Sequence, residues 1–289
     1  MLRDGEQPVF QPPELACDSH FHIFGLPDQY KYKAKLRYEP PIATADDYLA
    51  IAKVLGIKRM VLVQPSAYGQ DNSCQLDAAA RLGKDFCRVV VDIDENIPDL
   101  ELERMHSLGA RGVRINVNPI EPLTPGLSDK LLPRIKRMES RCKEIGWSLD
   151  FLFPDWLTAE MMPHLRELSV PFSIAHIGMN RANKGINTKE FNALLDTLKY
   201  GDGFCWVKLT AAYRISNRPD YLDVVPLAQA VIEAAGDRII WGSDYPHLSF
   251  GEHSTIKLFN LLSQIAPDEE MRKRILEENP AKLYGFQSD

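Results

Sequence analysis

The sequence predicts an α/β fold, a (β/α)8 TIM barrel in a single domain. Three observations carry that prediction. Eight short apolar strand segments alternate with helical segments of 3.6-residue periodicity. No Gly-, Ser- or Pro-rich linker divides the 289 residues. The phosphate-binding patterns of a doubly wound sheet, G-x-G-x-x-G and G-x-x-x-x-G-K-[ST], do not occur.

The elements follow in order. Leu15–Ser19 opens the barrel and runs on into Asp18-Ser19-His20-Phe21-His22. Thr44 with Asp47 three residues later forms a capping box for a helix over Ala45–Leu55, which Gly56 ends. Met60–Val63 is a continuous apolar run, as a strand covered on both faces requires. Helix Asn72–Leu82, strand Phe86–Val91, helix Asp99–Leu108 and strand Gly112–Asn116 follow. Leu132, Ile135, Met138, Cys142 and Ile145 mark one helix face, closed by Gly146. Strand Trp147–Phe153 leads to a helix over Thr158–Leu168 that Pro163 makes irregular. Strand Pro171–Ala175, helix Thr188–Leu198, strand Cys205–Leu209, helix Tyr221–Ala235 and strand Arg238–Trp241 complete the barrel. Helices Ser254–Gln264 and Asp268–Glu278 end it. Residues 1–14 read as an N-terminal extension and 15–289 as the barrel domain. The connections Ile23–Ala43 and Asn116–Ser128 are long, and long loops in compact domains tend to be functional.

Composition excludes several function classes. A net charge of −6 argues against nucleic-acid binding through a basic surface. No run of about 18 apolar residues is present, which argues against a membrane span. Five widely spaced cysteines without a C-x-x-C read as buried free thiols in a reducing compartment. The first 15 residues carry acids and prolines and no apolar core, so the cytoplasm is the expected location. Nothing in the sequence sets the oligomeric state.

Active sites of such barrels lie at the C-terminal ends of the strands. Strand 1 ends in His20 and His22, which alternation places on one face with Phe21 on the other. Strand 6 ends in His176 and strand 8 in Asp244. Closure makes strands 1 and 8 neighbours, so three imidazoles and one carboxylate are expected to converge. A lone histidine is most often a hydrogen-bonded structural residue; the convergence of four such groups on one mouth is what points to chemistry. On strand 4, Val113 and Ile115 point out to the helices and Arg114 points in. Arg114, Arg181 and Arg214 are candidates for bidentate recognition of an anion, with Tyr213 beside the last. Arg111 opens its strand and reads as structural. Gln64, Ser66 and Tyr68 follow strand 2 and could bond a carbonyl or carboxylate, or serve only the turn. His247 lies three residues past Asp244, at the same mouth. Lys208 shares the inward parity of Trp206 and Thr210 and is a weaker candidate. Trp206 and Trp241 are expected to fill the barrel, and His106, His164 and His253 take no role.

This constellation resembles the amidohydrolase superfamily, and within it the branch of 2-pyrone-4,6-dicarboxylate lactonases and related sugar-lactone hydrolases. The matching segments are Asp18-Ser19-His20-Phe21-His22, Val61-Leu62-Val63-Gln64-Pro65-Ser66 running on to Gly69-Gln70-Asp71-Asn72, and Arg111-Gly112-Val113-Arg114. His176-Ile177-Gly178, Trp241-Gly242-Ser243-Asp244-Tyr245-Pro246-His247 and the tail Asn279-Pro280-Ala281-Lys282-Leu283-Tyr284-Gly285-Phe286 also fit. The resemblance covers residues 15 to 286 and specifies the branch, not one substrate.

The resemblance implies a hydrolase that opens a small anionic, carboxylated lactone. Asp244 would act as general base toward water, and His20, His22 and His176 would polarise the ring carbonyl. Arg114, Arg181 and Arg214 would hold the carboxylates. Metal-binding relatives add a His or a carboxylated Lys from a middle strand. Strand 5 here supplies no His, and strand 4 offers Arg114 and Asn116, not Lys. No obligatory metal is therefore expected; a single Zn²⁺ on His20, His22 and Asp244 is the alternative. The competing functions are lactone isomerisation, zinc-dependent decarboxylation of an aromatic or muconate acid, and a non-catalytic dicarboxylate-binding barrel.

Overall fold

The structure, a computed structural model, describes residues 6–36, 38–117, 126–248, 251 and 253–287. Eight strands form one parallel sheet in sequence order: β1 (Cys17–Phe21), β2 (Arg59–Val63), β3 (Cys87–Val91), β4 (Ala110–Asn116), β5 (Ser148–Leu152), β6 (Phe172–Ile174), β7 (Cys205–Leu209) and β8 (Ile239–Trp241). The sheet curls until β8 returns to β1. Beyond the strand ends the seam is tied by backbone bonds. Asp244 N–H donates to His20 O at 2.8 Å, and His22 N–H donates to Tyr245 O at 2.8 Å.

The helices that cover the barrel are α1 (Ala45–Leu55), α2 (Ser73–Leu82), α3 (Asp99–Ser107), α4 (Leu127–Ile145), α5 (Asp155–Leu165), α6 (Lys189–Tyr200), α7 (Ala212–Ile215), α8 (Val225–Ala235) and α9 (Thr255–Asn260). The Thr44–Asp47 capping box and the left-handed Gly56 bound α1 as the sequence predicts. Other boundaries shift. Helix α4 starts before its apolar stripe becomes periodic, and it accommodates Pro133. Helix α5 starts at Asp155, which puts Pro163 in its last turn, where the missing N–H forfeits one bond, to the carbonyl four residues back, and the helix ends soon after. The helix expected over Tyr221–Ala235 begins with a 3₁₀ turn, Leu222–Val224, before α8. The segment expected as Asp268–Glu278 is a short α-helix, Glu269–Lys273, then a π-helical turn, Arg274–Glu278, which leads into a last helix over Asn279–Tyr284. Part of the long connection after β4 lies outside the described residues.

Inward alternation puts Cys17, Val61, Val63, Val90, Trp206 and Ile240 inside the barrel. Tyr284 and Phe286 of the C-terminal tail join this cluster at the N-terminal ends of the strands. Arg88 fastens the tail there, donating to Tyr284 O at 3.0 Å and Gly285 O at 2.7 Å. Trp206 fills the barrel as expected. Trp241 does not: Ile240 takes the inward position, so Trp241 faces out and meets Phe259 of α9 edge-on at 5.2 Å. All five cysteines are buried free thiols, and burial pushes Cys87, Cys142 and Cys205 up to about 12. Among the described residues no helix is long and apolar enough to cross a membrane.

Candidate active site

The tied seam between β1 and β8 builds the centre of the site. Asp18 points outward, where Oδ1 accepts from the backbone N–H of His20 (3.1 Å) and of Ser243 (3.0 Å). Its Oδ2 accepts from Tyr48 at 2.7 Å. One carboxylate therefore locks the backbone beside His20 to the backbone beside Asp244. Gly242 makes the approach feasible: a Cβ there would lie 2.6 Å from His20 N and 2.7 Å from His20 Cβ. The β1–β2 register shifts between Asp18 and Phe21, a bulge at the point where the strand turns its histidines to the mouth. His176 and Asp244 both sit in left-handed backbone, with φ of 55° and 56°. Strain of this kind collects at functional sites.

The three imidazoles and the carboxylate do converge. Asp244 Oδ1 lies 3.4 Å from His20 Nε2, 3.4 Å from His22 Nε2 and 4.0 Å from His176 Nε2. Asp244 Oδ2 accepts from the Tyr213 hydroxyl at 2.5 Å. Burial opposes charge on Asp244, but the proximity of His176, His20 and His22 outweighs it. They hold the carboxyl well below its usual range. Burial, reinforced by the nearby Lys208 ammonium, lowers His20 to about 3. Burial also puts His176 well below its ordinary value. At neutral pH the centre is an ionised carboxylate beside two neutral rings, those of His20 and His176. His22 Nδ1 donates to Val63 O at 2.7 Å, which turns its Nε2 toward Asp244. His176 Nδ1 lies 2.6 Å from the Thr210 hydroxyl.

Below this centre a second charged group spans the barrel. Arg114 is buried and inward as its parity predicts. Its Nη1 donates to Gln64 O at 2.6 Å, and its Nε lies 3.9 Å from Asp150 Oδ1. Asp150 Oδ2 pairs with Lys208 at 2.5 Å and accepts from Ser173 at 2.9 Å. Burial works against the Asp150 charge, but Lys208, His20 and Arg114 depress its pKa. Burial lowers Arg114 too, against the pull of Asp150 and Asp244.

The remaining candidates divide. Arg214 on α7 stands close enough to His176 and Arg114 to act on both electrostatically. Arg181 is exposed, and its guanidinium donates to Arg214 O at 2.6 Å, so it braces the rim. Tyr213 is not aimed at open space; its hydroxyl grips Asp244. The Gln64 side chain donates to Gly69 O and Asp71 O and shapes its own loop, while its carbonyl positions Arg114. The Tyr68 hydroxyl accepts from Gly25 N–H at 3.0 Å, and its ring packs on Phe24 and Tyr32. Tyr68 thus braces the long loop after β1. Ser66 bonds Tyr38 of that loop, and Tyr38 also feels Arg114. His247 is buried beside Tyr213, with Nε2 2.9 Å from the Thr255 hydroxyl. The sequence reading missed Tyr38, although it marked its loop as functional. It also undervalued Lys208, whose inward parity was the available signal.

The donor atoms suit a metal ion in type and spacing. His20, His176 and Asp244 each offer an atom within 4.8 Å of the others, and the Nε2 atoms of His20 and His176 are buried without a hydrogen-bond partner. The tightest set thus contains His176 where the sequence reading placed His22.

A profile described as amidohydrolase matches residues 17–286. A 4-sulfomuconolactone hydrolase of Hydrogenophaga intermedia is 37% identical over 282 residues, 96% of this chain and 90% of that one. A 2-pyrone-4,6-dicarboxylate hydrolase of Comamonas testosteroni is 30% identical over 290 residues, covering 96% and 92%. Among solved structures, a probable 2-pyrone-4,6-dicarboxylic acid hydrolase from Acinetobacter baumannii, with citric acid bound, superposes with a TM-score of 0.78 at 26% identity. It covers 94% of this chain and 99% of its own.

Proposed function

As the chain belongs to the amidohydrolase family, we propose that it is a hydrolase that opens a carboxylated lactone by attack of water on the ring carbonyl. The observation that carries this reading is the single carboxylate oxygen, Asp244 Oδ1, ringed by three imidazole Nε2 atoms. An ionised Asp244 is in the state a general base needs, and Oδ1 is the oxygen to take the proton from water. Neutral His20 and His176 can offer N–H groups to the carbonyl oxygen as it gains charge, whereas the His22 ring hydrogen is held by Val63 O. Arg114, with Arg214 beside it, supplies the positive field for a substrate carboxylate and fixes the attack geometry. Relatives named for a sulfonated and a dicarboxylated ring compound support an anionic substrate.

A single zinc ion would be held by His20, His176 and Asp244, with His22 at the same carboxylate oxygen. Bound there, it would act as a Lewis acid on the carbonyl. The proposed water attack does not require it. The chain's buried free thiols suit the cytoplasm, where we place it.

The deciding experiment incubates the purified protein with a panel of carboxylated and sulfonated lactones and pyrones and identifies the product. The open acid is expected. A second lactone would make the enzyme an isomerase, and tight binding without turnover would make it a binding protein.

A further inference from the structure

We propose that Lys208 is a positioning residue that fixes His20 as its Nε2–H tautomer, making His20 a hydrogen-bond donor in the site and a poor metal ligand. Lys208 lies wholly inside the barrel on β7. An ammonium has three N–H donors and no acceptor. Three acceptors surround it: Asp150 Oδ2 at 2.5 Å, Ser19 O at 3.4 Å and His20 Nδ1 at 3.4 Å. Burial lowers the Lys208 pKa, and the Asp150 carboxylate paired with it opposes that and favours the ammonium; Asp150 is itself fixed by Ser173 and faces Arg114. The third donor is satisfied only when His20 Nδ1 presents its lone pair. A neutral ring with a bare Nδ1 carries its hydrogen on Nε2. That atom faces Asp244 Oδ1 at 3.4 Å and has no other partner among the described residues.

His22 has the opposite arrangement. Its Nδ1 donates to the Val63 carbonyl, so the hydrogen that His20 lacks at Nδ1 is present there in His22. The two histidines of H-x-H are therefore anchored in opposite senses, His20 Nδ1 accepting from Lys208 and His22 Nδ1 donating to Val63 O. A metal at His20 would have to displace the Nε2 hydrogen, and Lys208 would then lose an acceptor or a proton. Lys208 thus weighs against metal binding at a cluster whose heavy atoms suit it.

The inference rests on His20 being a site imidazole, but its test needs no substrate. Protein carrying ¹⁵N-histidine, stripped with chelator, is examined by two-bond ¹H–¹⁵N correlation at neutral pH, with His20 assigned by its absence in His20→Asn. Wild type should show His20 protonated at Nε2, and an Nδ1–H signal would overturn the proposal. Lys208→Met should release the ring to the Nδ1–H form or to a mixture. An unchanged Nε2–H spectrum would show that Lys208 does not set it. Should that variant fail to fold because Asp150 loses its partner, Lys208→Met with Asp150→Asn removes both charges and carries the same expectation. Calorimetric titration with Zn²⁺ alone gives an independent reading. The Lys208→Met protein should bind roughly 10–100-fold tighter than wild type, the scale of a ligand's outer hydrogen-bond partner. Equal affinities would overturn the claim about metal binding. None of these results depends on which lactone is turned over.

Discussion

Tyr213 and Asp244 share a 2.5 Å hydrogen bond that divides the carboxylate into two unlike oxygens. Oδ2 is held by the phenol, and Oδ1 is left to the imidazoles. Burial, then the Asp244 charge, raises the phenol well above its usual pKa, so it stays a donor. Tyr213→Phe should let the carboxylate rotate. A hydrogen bond to a charged group contributes about 1.5–3 kcal/mol, so kcat should fall roughly 10–100-fold with KM little changed. Steady-state kinetics checks this: a rise in KM at constant kcat would return Tyr213 to a substrate-binding role.

Asp244→Asn removes the base and keeps the shape. Turnover should drop about 10²–10⁴-fold, with an unchanged far-UV spectrum. A folded variant retaining more than about half the wild-type rate would take Asp244 out of the mechanism.

Arg114→Met leaves Asp150 with Lys208 and Ser173, so folding should survive. Losing one partner of a buried charge pair with substrate costs about 2–5 kcal/mol, read as a fall in kcat/KM carried mainly by KM. A neutral ester analogue should be turned over equally by both proteins. Equal losses on charged and neutral substrates would make Arg114 structural.

Prolonged chelation should leave turnover largely unchanged. Loss of activity with chelator and recovery with Zn²⁺ would instead identify His20, His176 and Asp244 as ligands. Metal analysis of the same sample checks the outcome.

Acid should unfold the protein early. Burial holds His20 and His247 at about 3 and His176 well below its ordinary value, whereas an unfolded histidine titrates near ~6.5. Between those values the unfolded chain binds protons that the folded one does not. Stability is therefore complete above ~6.5 and is lost as pH falls toward 3. Three such groups allow a slope of up to about 4 kcal/mol per pH unit. Urea melts from pH 7.5 to 5 measure it. His247→Asn, which suits the left-handed backbone at φ 65°, should lower the slope by about one proton. An unchanged slope would mean that His247 is not buried in neutral form.

Much of this molecule was legible in the chain alone, because alternation and periodicity are local. Strand parity put Arg114, Lys208 and Trp206 inside, and strand ends put His20, His22, His176 and Asp244 at one mouth. Trp241 escaped that logic: Ile240 beside it holds the inward position, and an apolar pair does not announce which member faces in. Tyr38 escaped because it acts through a long loop whose course is set by packing on Phe24 and Tyr68.

What the sequence by itself determined is the barrel, the four converging groups and the inward-facing Arg114 and Lys208, since each follows from residue type and local period. Tertiary structure alone decided which atom of each group does what. Asp18 stitches β1 to β8, Tyr213 takes one carboxylate oxygen, and Lys208 reaches His20 from 188 residues away. Hydrogen-bond direction depends on distances of a few tenths of an ångström between remote segments. Those distances exist only once the barrel has closed.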